Sequence, residues 1–102
     1  MVIIRYDLED VPGANIIQVP KGAKVLTAQW HPAKGGISLW VSLDEMKSSE
    51  RAESEGRLFV VAGTGGFFMD DVSVKDAVYI NTCQESQGTL IWHVFERLNW
   101  LD

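Results

Sequence analysis

Hydrophobic and polar residues alternate with period two along most of the chain. From Val2 to Leu8 the residues Val2, Ile4, Tyr6 and Leu8 share one face, and Ile3, Arg5 and Asp7 share the other. That alternation predicts a β-strand rather than a helix. The same reasoning predicts strands over Asn15–Val19, Lys24–Trp30, Ile37–Leu43, Arg57–Ala62, Val78–Gln84 and Thr89–Phe95. In the fourth of these, Ile37, Leu39, Val41 and Leu43 point one way and Ser38, Trp40 and Ser42 the other. One face is expected in the core and one in water, Trp40 excepted.

The breaks between these runs have turn chemistry. Val11-Pro12-Gly13 interrupts the chain. Val19-Pro20-Lys21-Gly22 suits a turn with proline at its second position and glycine at its last. His31–Gly36 reads as a loop, and Ser86-Gln87-Gly88 as a three-residue hairpin loop. The stretch 44–56, DEMKSSERAESEG, is the most polar, either a loop or a short helix starting at Asp44 and stopping at Gly56. Residues 97–102 form a short tail. Together these elements predict an all-β fold: a single compact antiparallel β-sandwich or barrel-like sheet of about seven short strands, one domain over 1–102.

Composition narrows the partners. The chain has 102 residues and a net charge of −5, with nine basic residues scattered along it. Polymeric nucleic acid is a poor partner for such a surface, because phosphate contacts need a basic face. A small anion, which needs only two or three donors, remains open. The single cysteine, Cys83, forms no internal disulfide, which fits a reducing compartment. No apolar run is long enough to cross a membrane as a helix, and the opening MVIIRYDLED does not read as a signal peptide. A chain this short buries a modest core, so a homo-oligomer is expected.

Candidate chemistry lies in two places. If Glu85 closes the last hairpin opposite Thr89, Asn81 faces His93, Tyr79 faces Phe95, Thr82 faces Trp92, Ile80 faces Val94 and Cys83 faces Ile91. The Asn81–His93 pair among aromatic neighbours either reads the edge of a stacked base or is a hydrogen-bonded pair beside the core. The second place is Gly63-Thr64-Gly65-Gly66. It lacks the lysine of a P-loop and the third glycine of a dinucleotide fingerprint. It is a tight turn using positive φ, or a nest of amides for an anion.

Catalytic groupings are thin. His31 and His93 show no paired spacing, and a zinc site would need more ligands. Cys83 reads as a small core residue, and Asp70-Asp71 as a solvated turn. No cofactor, metal or catalytic residue is expected. Four tryptophans are many for this length. Trp40 is expected to be the most exposed, and Trp100 to lie in the tail; such rings mark partner surfaces.

The pieces IIRYDL, VPKGAKVLTAQW, ISLWVSLD, RLFVVAGTG, YINTCQ and TLIWHVFE, in this order, resemble a family of small tailed-phage proteins. Its members share a Lys/Arg-Tyr opening, a P-x-G-A-K-V/I-L turn and strand, an L-W strand, a G-T-G loop and an H-V-F-E ending. The resemblance runs from Ile3 to Glu96. It excludes 44–56 and the tail, and it departs from the pattern where Gly66-Phe67-Phe68 replaces the usual G-H-x-I. Small phage proteins of this kind include sponges for immune signals. The resemblance therefore implies an anti-defence protein, in the cytoplasm of an infected bacterium, that sequesters a cyclic nucleotide signal without degrading it. The signal would be a cyclic di- or trinucleotide or a cyclic ADP-ribose variant, bound in a pocket between protomers. On that reading Lys21, Lys24 and Arg57 are phosphate partners, assisted by the Gly63, Thr64 and Gly65 amides. Trp40, Tyr79 or Phe68 stacks on a base, and Asn81 and His93 read its edge. The rivals are an acidic inhibitor of a host protein or a phage accessory factor, and a phosphodiesterase that destroys the signal.

Overall fold

A computed structural model of the chain describes residues 1–44, 53–64, 76–85 and 90–100. Among the described residues are seven strands: β1 (Val2–Leu8), β2 (Gly13–Pro20), β3 (Lys24–His31), β4 (Gly36–Leu43), β5 (Ser54–Gly63), β6 (Ala77–Gln84) and β7 (Ile91–Arg97). They form two antiparallel sheets, ordered β1-β4-β3 and β2-β5-β7-β6. The sheets stack as an open sandwich and do not close into a barrel. The all-β expectation holds.

Each sheet places its alternate apolar residues on the shared core. Ile37, Leu39 and Val41 of β4 meet Phe59, Val61 and Val94 of the four-stranded sheet, each no more than 2% exposed. Outside that core, Leu58 and Val60 lie on the outer face of the four-stranded sheet with Trp100 packed on them. The expected tail therefore differs in part. Arg97 completes β7, and Trp100 folds back because an apolar face is there to receive it.

Several boundaries and faces differ from the sequence reading, each for a physical reason. The expected polar loop or helix at 44–56 yields its last residues to β5, since Ser54, Glu55 and Gly56 pair with Pro20, Val19 and Gln18; residues 45–52 lie outside the described residues. The turn after β2 sits one residue later than expected. Ala23 N–H donates to the Pro20 carbonyl at 3.1 Å, and Gly22, with φ +81°, fills the third position as a type II turn demands. The second face of β4 is not wet: Ser38 is 0% and Ser42 6% exposed. β4 is the central strand, so long side chains of β1 and β3 cover small ones on it. Trp40, expected to be exposed, is half-buried for the same reason, between Arg5 and Thr27. All four tryptophans are half-buried.

The β6–β7 register is also corrected. Tyr79 does face Phe95, but Asn81 faces Val94, Thr82 faces His93, Cys83 faces Trp92 and Gln84 faces Ile91. An extra residue at Ile80 forms a β-bulge, where two residues of one strand oppose one of the other. Every position beyond it slips by one. The proposed hairpin loop at Ser86–Gly88, and Thr89, lie outside the described residues.

Candidate functional site

The bulge decides what the outer face of the four-stranded sheet presents. With the slip, Thr82 and Tyr79 come to the same side as His93. The Tyr79 hydroxyl lies 2.7 Å from Thr82 Oγ1, which lies 3.0 Å from His93 Nδ1. On the other side of the ring, His93 Nε2 lies 2.8 Å from Thr64 Oγ1. Four side chains from three strand ends thus form one continuous row. A hydroxyl both donates and accepts, so the row accommodates either tautomer of the imidazole.

The row has an aromatic flank. The Tyr79 ring meets Phe95 edge-on, centroids 5.6 Å apart at 63°. Tyr79 is 55% exposed, so its ring stays open for stacking. Ile91 and, across the sheet on β2, Ile16, 39% and 56% exposed, lie on the same outer face. Chemically this surface offers a flat ring beside an imidazole and three hydroxyls. It can stack on a planar group and exchange hydrogen bonds with that group's edge.

Asn81 does not join this row. The bulge turns Ile80 and Asn81 together toward the interior. Asn81 Oδ1 accepts the Ala28 N–H at 2.8 Å, and its Nδ2 donates to the Ala28 carbonyl at 2.5 Å. Its amide is occupied in joining β3 to β6, the two sheet edges on that side. Cys83 is 1% exposed beside it and donates to the same carbonyl at 3.2 Å. Burial pushes the Cys83 thiol up, and the Asn81 amide opposes this in part. A thiol so placed is a core group rather than a nucleophile.

The expected phosphate partners sit elsewhere. Lys21 and Lys24 are exposed around the β2–β3 turn. Arg57 is bound up in a bidentate pair: its Nε and Nη2 reach Glu96 at 2.6 and 2.7 Å, and Nη1 donates to the Ala23 carbonyl at 2.5 Å. Those hydrogen bonds with Glu96 hold the Arg57 guanidinium above its usual range. With the pair's side chains 19% and 12% exposed, Arg57 serves as a fastener of the turn. Arg57 lies six residues before Gly63 along β5, about 20 Å away. The candidate residues therefore divide into a lysine end and a His93 end, too far apart within one chain for a small ligand to bridge.

Gly63 is not a positive-φ turn residue. It lies in β5 opposite Trp92, and a Cβ there would stand 3.3 Å from the indole. A side chain there would press on that ring, which would have to give by a few tenths of an ångström. The Thr64 N–H is also spent, on the Ile91 carbonyl at 3.3 Å. Gly65 and Phe68 lie outside the described residues, as do Gly66 and Asp70-Asp71. Thr82 of the row and Phe95 of its aromatic flank are the residues that the sequence reading did not name as site residues. Alternation would have found Thr82 once a bulge was placed before it.

Among the described residues no three His, Cys, Asp or Glu side chains are placed to hold a metal ion, and no helix is long and apolar enough to cross a membrane.

Fold and site together define a small two-sheet β-sandwich with a hydrogen-bonded polar and aromatic row on one outer face. The family model described as "Domain of unknown function (DUF7352)" matches residues 1–100, and the chain belongs to that family. No curated protein and no solved structure matches the chain.

Proposed function

We propose that this is a phage anti-defence protein that binds a cyclic nucleotide signal of bacterial immunity and holds it without degrading it. The observation that carries the reading is the Tyr79–Thr82–His93–Thr64 row beside an exposed aromatic ring. Tyr79 stacks on a base, and the Thr64 and Thr82 hydroxyls, positioned by the two nitrogens of His93 and with hydrogen-bonding capacity to spare, read its edge. The resemblance to small phage proteins supplies the biological setting. With Arg57 committed to Glu96, the phosphates are met by groups outside the row, such as Lys21 or Lys24 of a neighbouring protomer.

The test is thermal denaturation of the purified protein against cyclic dinucleotides, cyclic trinucleotides and cyclic ADP-ribose variants, with the ligand recovered after heating. At a hundredfold excess over its dissociation constant, a ligand stabilises the fold by about 2.7 kcal/mol. The expected result is a shift with one signal class, intact ligand on recovery, and loss of the shift in Tyr79→Ala and His93→Ala. Altered ligand would make the protein a phosphodiesterase. Absence of a shift across the panel would end the sponge reading. The alternative is then an inhibitor of a host protein docking on the same face, which the exposed Ile16, Tyr79 and Ile91 side chains favour.

A further inference from the structure

Among the described residues the outer edge of β1 is open. In the sheet order β1-β4-β3, β1 pairs there with β4 alone. It opens on Val2 and Ile3, 40% and 54% exposed, just after Met1 at 79%. An exposed apolar edge strand invites another strand unless something blocks it, and charged residues are the usual block. On β1 the charges are Arg5 and Asp7, two positions apart on the outer face. Arg5 contacts Asp7 only at 3.6 Å, through Nε, and its side chain is 43% exposed; Asp7, held within the chain by Lys34 and Ser38, keeps its side chain 34% exposed.

Opposite charges at that spacing do not protect a strand from its own copy. We propose that a second copy of this chain pairs with β1 edge to edge, antiparallel, about a two-fold axis through Tyr6. In that register Arg5 of each copy stands opposite Asp7 of the other, and Ile4 opposite Leu8. Facing residues of antiparallel strands share a side of the sheet. The Arg5–Asp7 pairs therefore form on the outer face, and the apolar pairs on the core face. A two-fold centred on Arg5 would set arginine against arginine. One centred on Ile4 would leave both charges unmatched. The register through Tyr6 extends each row across six strands: Thr27, Trp40 and Arg5 of one copy continue into Asp7, Ser38 and Gln29 of the other.

The edge strand β2 of the other sheet lacks this complementarity. It carries no charged residue. At Asn15 it is already engaged by Asp10, whose N–H donates to the Asn15 side chain at 2.8 Å and whose carbonyl accepts from it at 2.9 Å.

Sedimentation velocity on the whole protein tests the proposal without any ligand. The wild type should sediment as a dimer. Arg5→Asp alone and Asp7→Arg alone should each weaken self-association at least about tenfold. An equimolar mixture of the two variants should regain the dimer, because each now complements the other. Asp7 also holds Ser38 and Lys34, so circular dichroism checks that Asp7→Arg folds. If it does not, Arg5→Asp is read together with oxidation of Tyr6→Cys. Facing Cα atoms lie about 5 Å apart, within disulfide range, so a covalent dimer is expected; Cys83, 1% exposed, does not compete. A wild type that stays monomeric into the high micromolar range, an Arg5→Asp dimer of unchanged strength, or no cross-link at position 6 would each overturn the proposal.

Discussion

The side-chain amide of Asn81 bonds the Ala28 backbone in both directions, at 2.8 and 2.5 Å. It imitates a peptide unit. A β-strand pair exchanges an N–H and a carbonyl in the same way. The chain uses the device again where Asn15 binds Asp10. At Ala28 it fastens the two sheets along one side of the sandwich.

Asn81→Ala should therefore destabilise the fold by about 2–3 kcal/mol, since the buried Ala28 N–H is left without a partner. The Cys83 thiol still serves the carbonyl, which keeps the loss from being larger. Urea denaturation measures it, with Thr82→Ala as an exposed control. A loss under about 0.5 kcal/mol, the range of ordinary surface changes, would refute the fastening role.

The Arg57–Glu96 pair should behave as a nearly buried ion pair. Glu96→Ala leaves the guanidinium uncompensated and should cost about 3–5 kcal/mol. Arg57→Met combined with Glu96→Leu should recover most of that, because apolar groups of similar size need no compensation. The comparison of the two urea midpoints decides. Equal losses in the single and double variants would mean that the bond from Arg57 to Ala23, rather than the pairing, matters.

Asp7 sets an acid-side dependence. The Lys34 ammonium and then the Ser38 hydroxyl, at 2.5 and 2.9 Å, hold its carboxyl below the usual 3.8. A carboxyl lowered in the folded state contributes stability that is present above its unfolded value and lost as pH falls through its folded one. The melting-temperature difference between wild type and Asp7→Asn should thus be constant near neutrality and shrink as pH drops below 3.8. A difference that is independent of pH down to that point and beyond would exclude the charged contribution.

The strands were legible because alternation is local. Val2–Leu8 shows its two faces within seven residues, and no distant contact is needed to see them. What sequence hid was non-local or depended on single-residue insertions. Nothing near Ile80 announces a bulge, yet it moves Thr82 rather than Asn81 beside His93. Arg57 looks like a free cation until Glu96, 39 residues on, arrives on the neighbouring strand. Ser38 and Ser42 look solvated because polarity is visible in sequence and the cover of flanking strands is not. Tyr79, His93 and Thr64 were named in the sequence reading, the first two because aromatic and imidazole side chains stand out in any strand pair and Thr64 for its backbone amide. Thr82 gains meaning only from the atoms it touches.

The strand order has a consequence for how the chain is made. β7, last in sequence, lies between β5 and β6 and is antiparallel to both. During synthesis β6 emerges with no partner of its own sheet until residues 91–97 leave the ribosome. Until then β5 offers an unpaired edge on the side that β7 will fill. The four-stranded sheet is completed only after translation has passed Arg97, so nascent chains stalled before Ile91 should be protease-sensitive and prone to associate with one another.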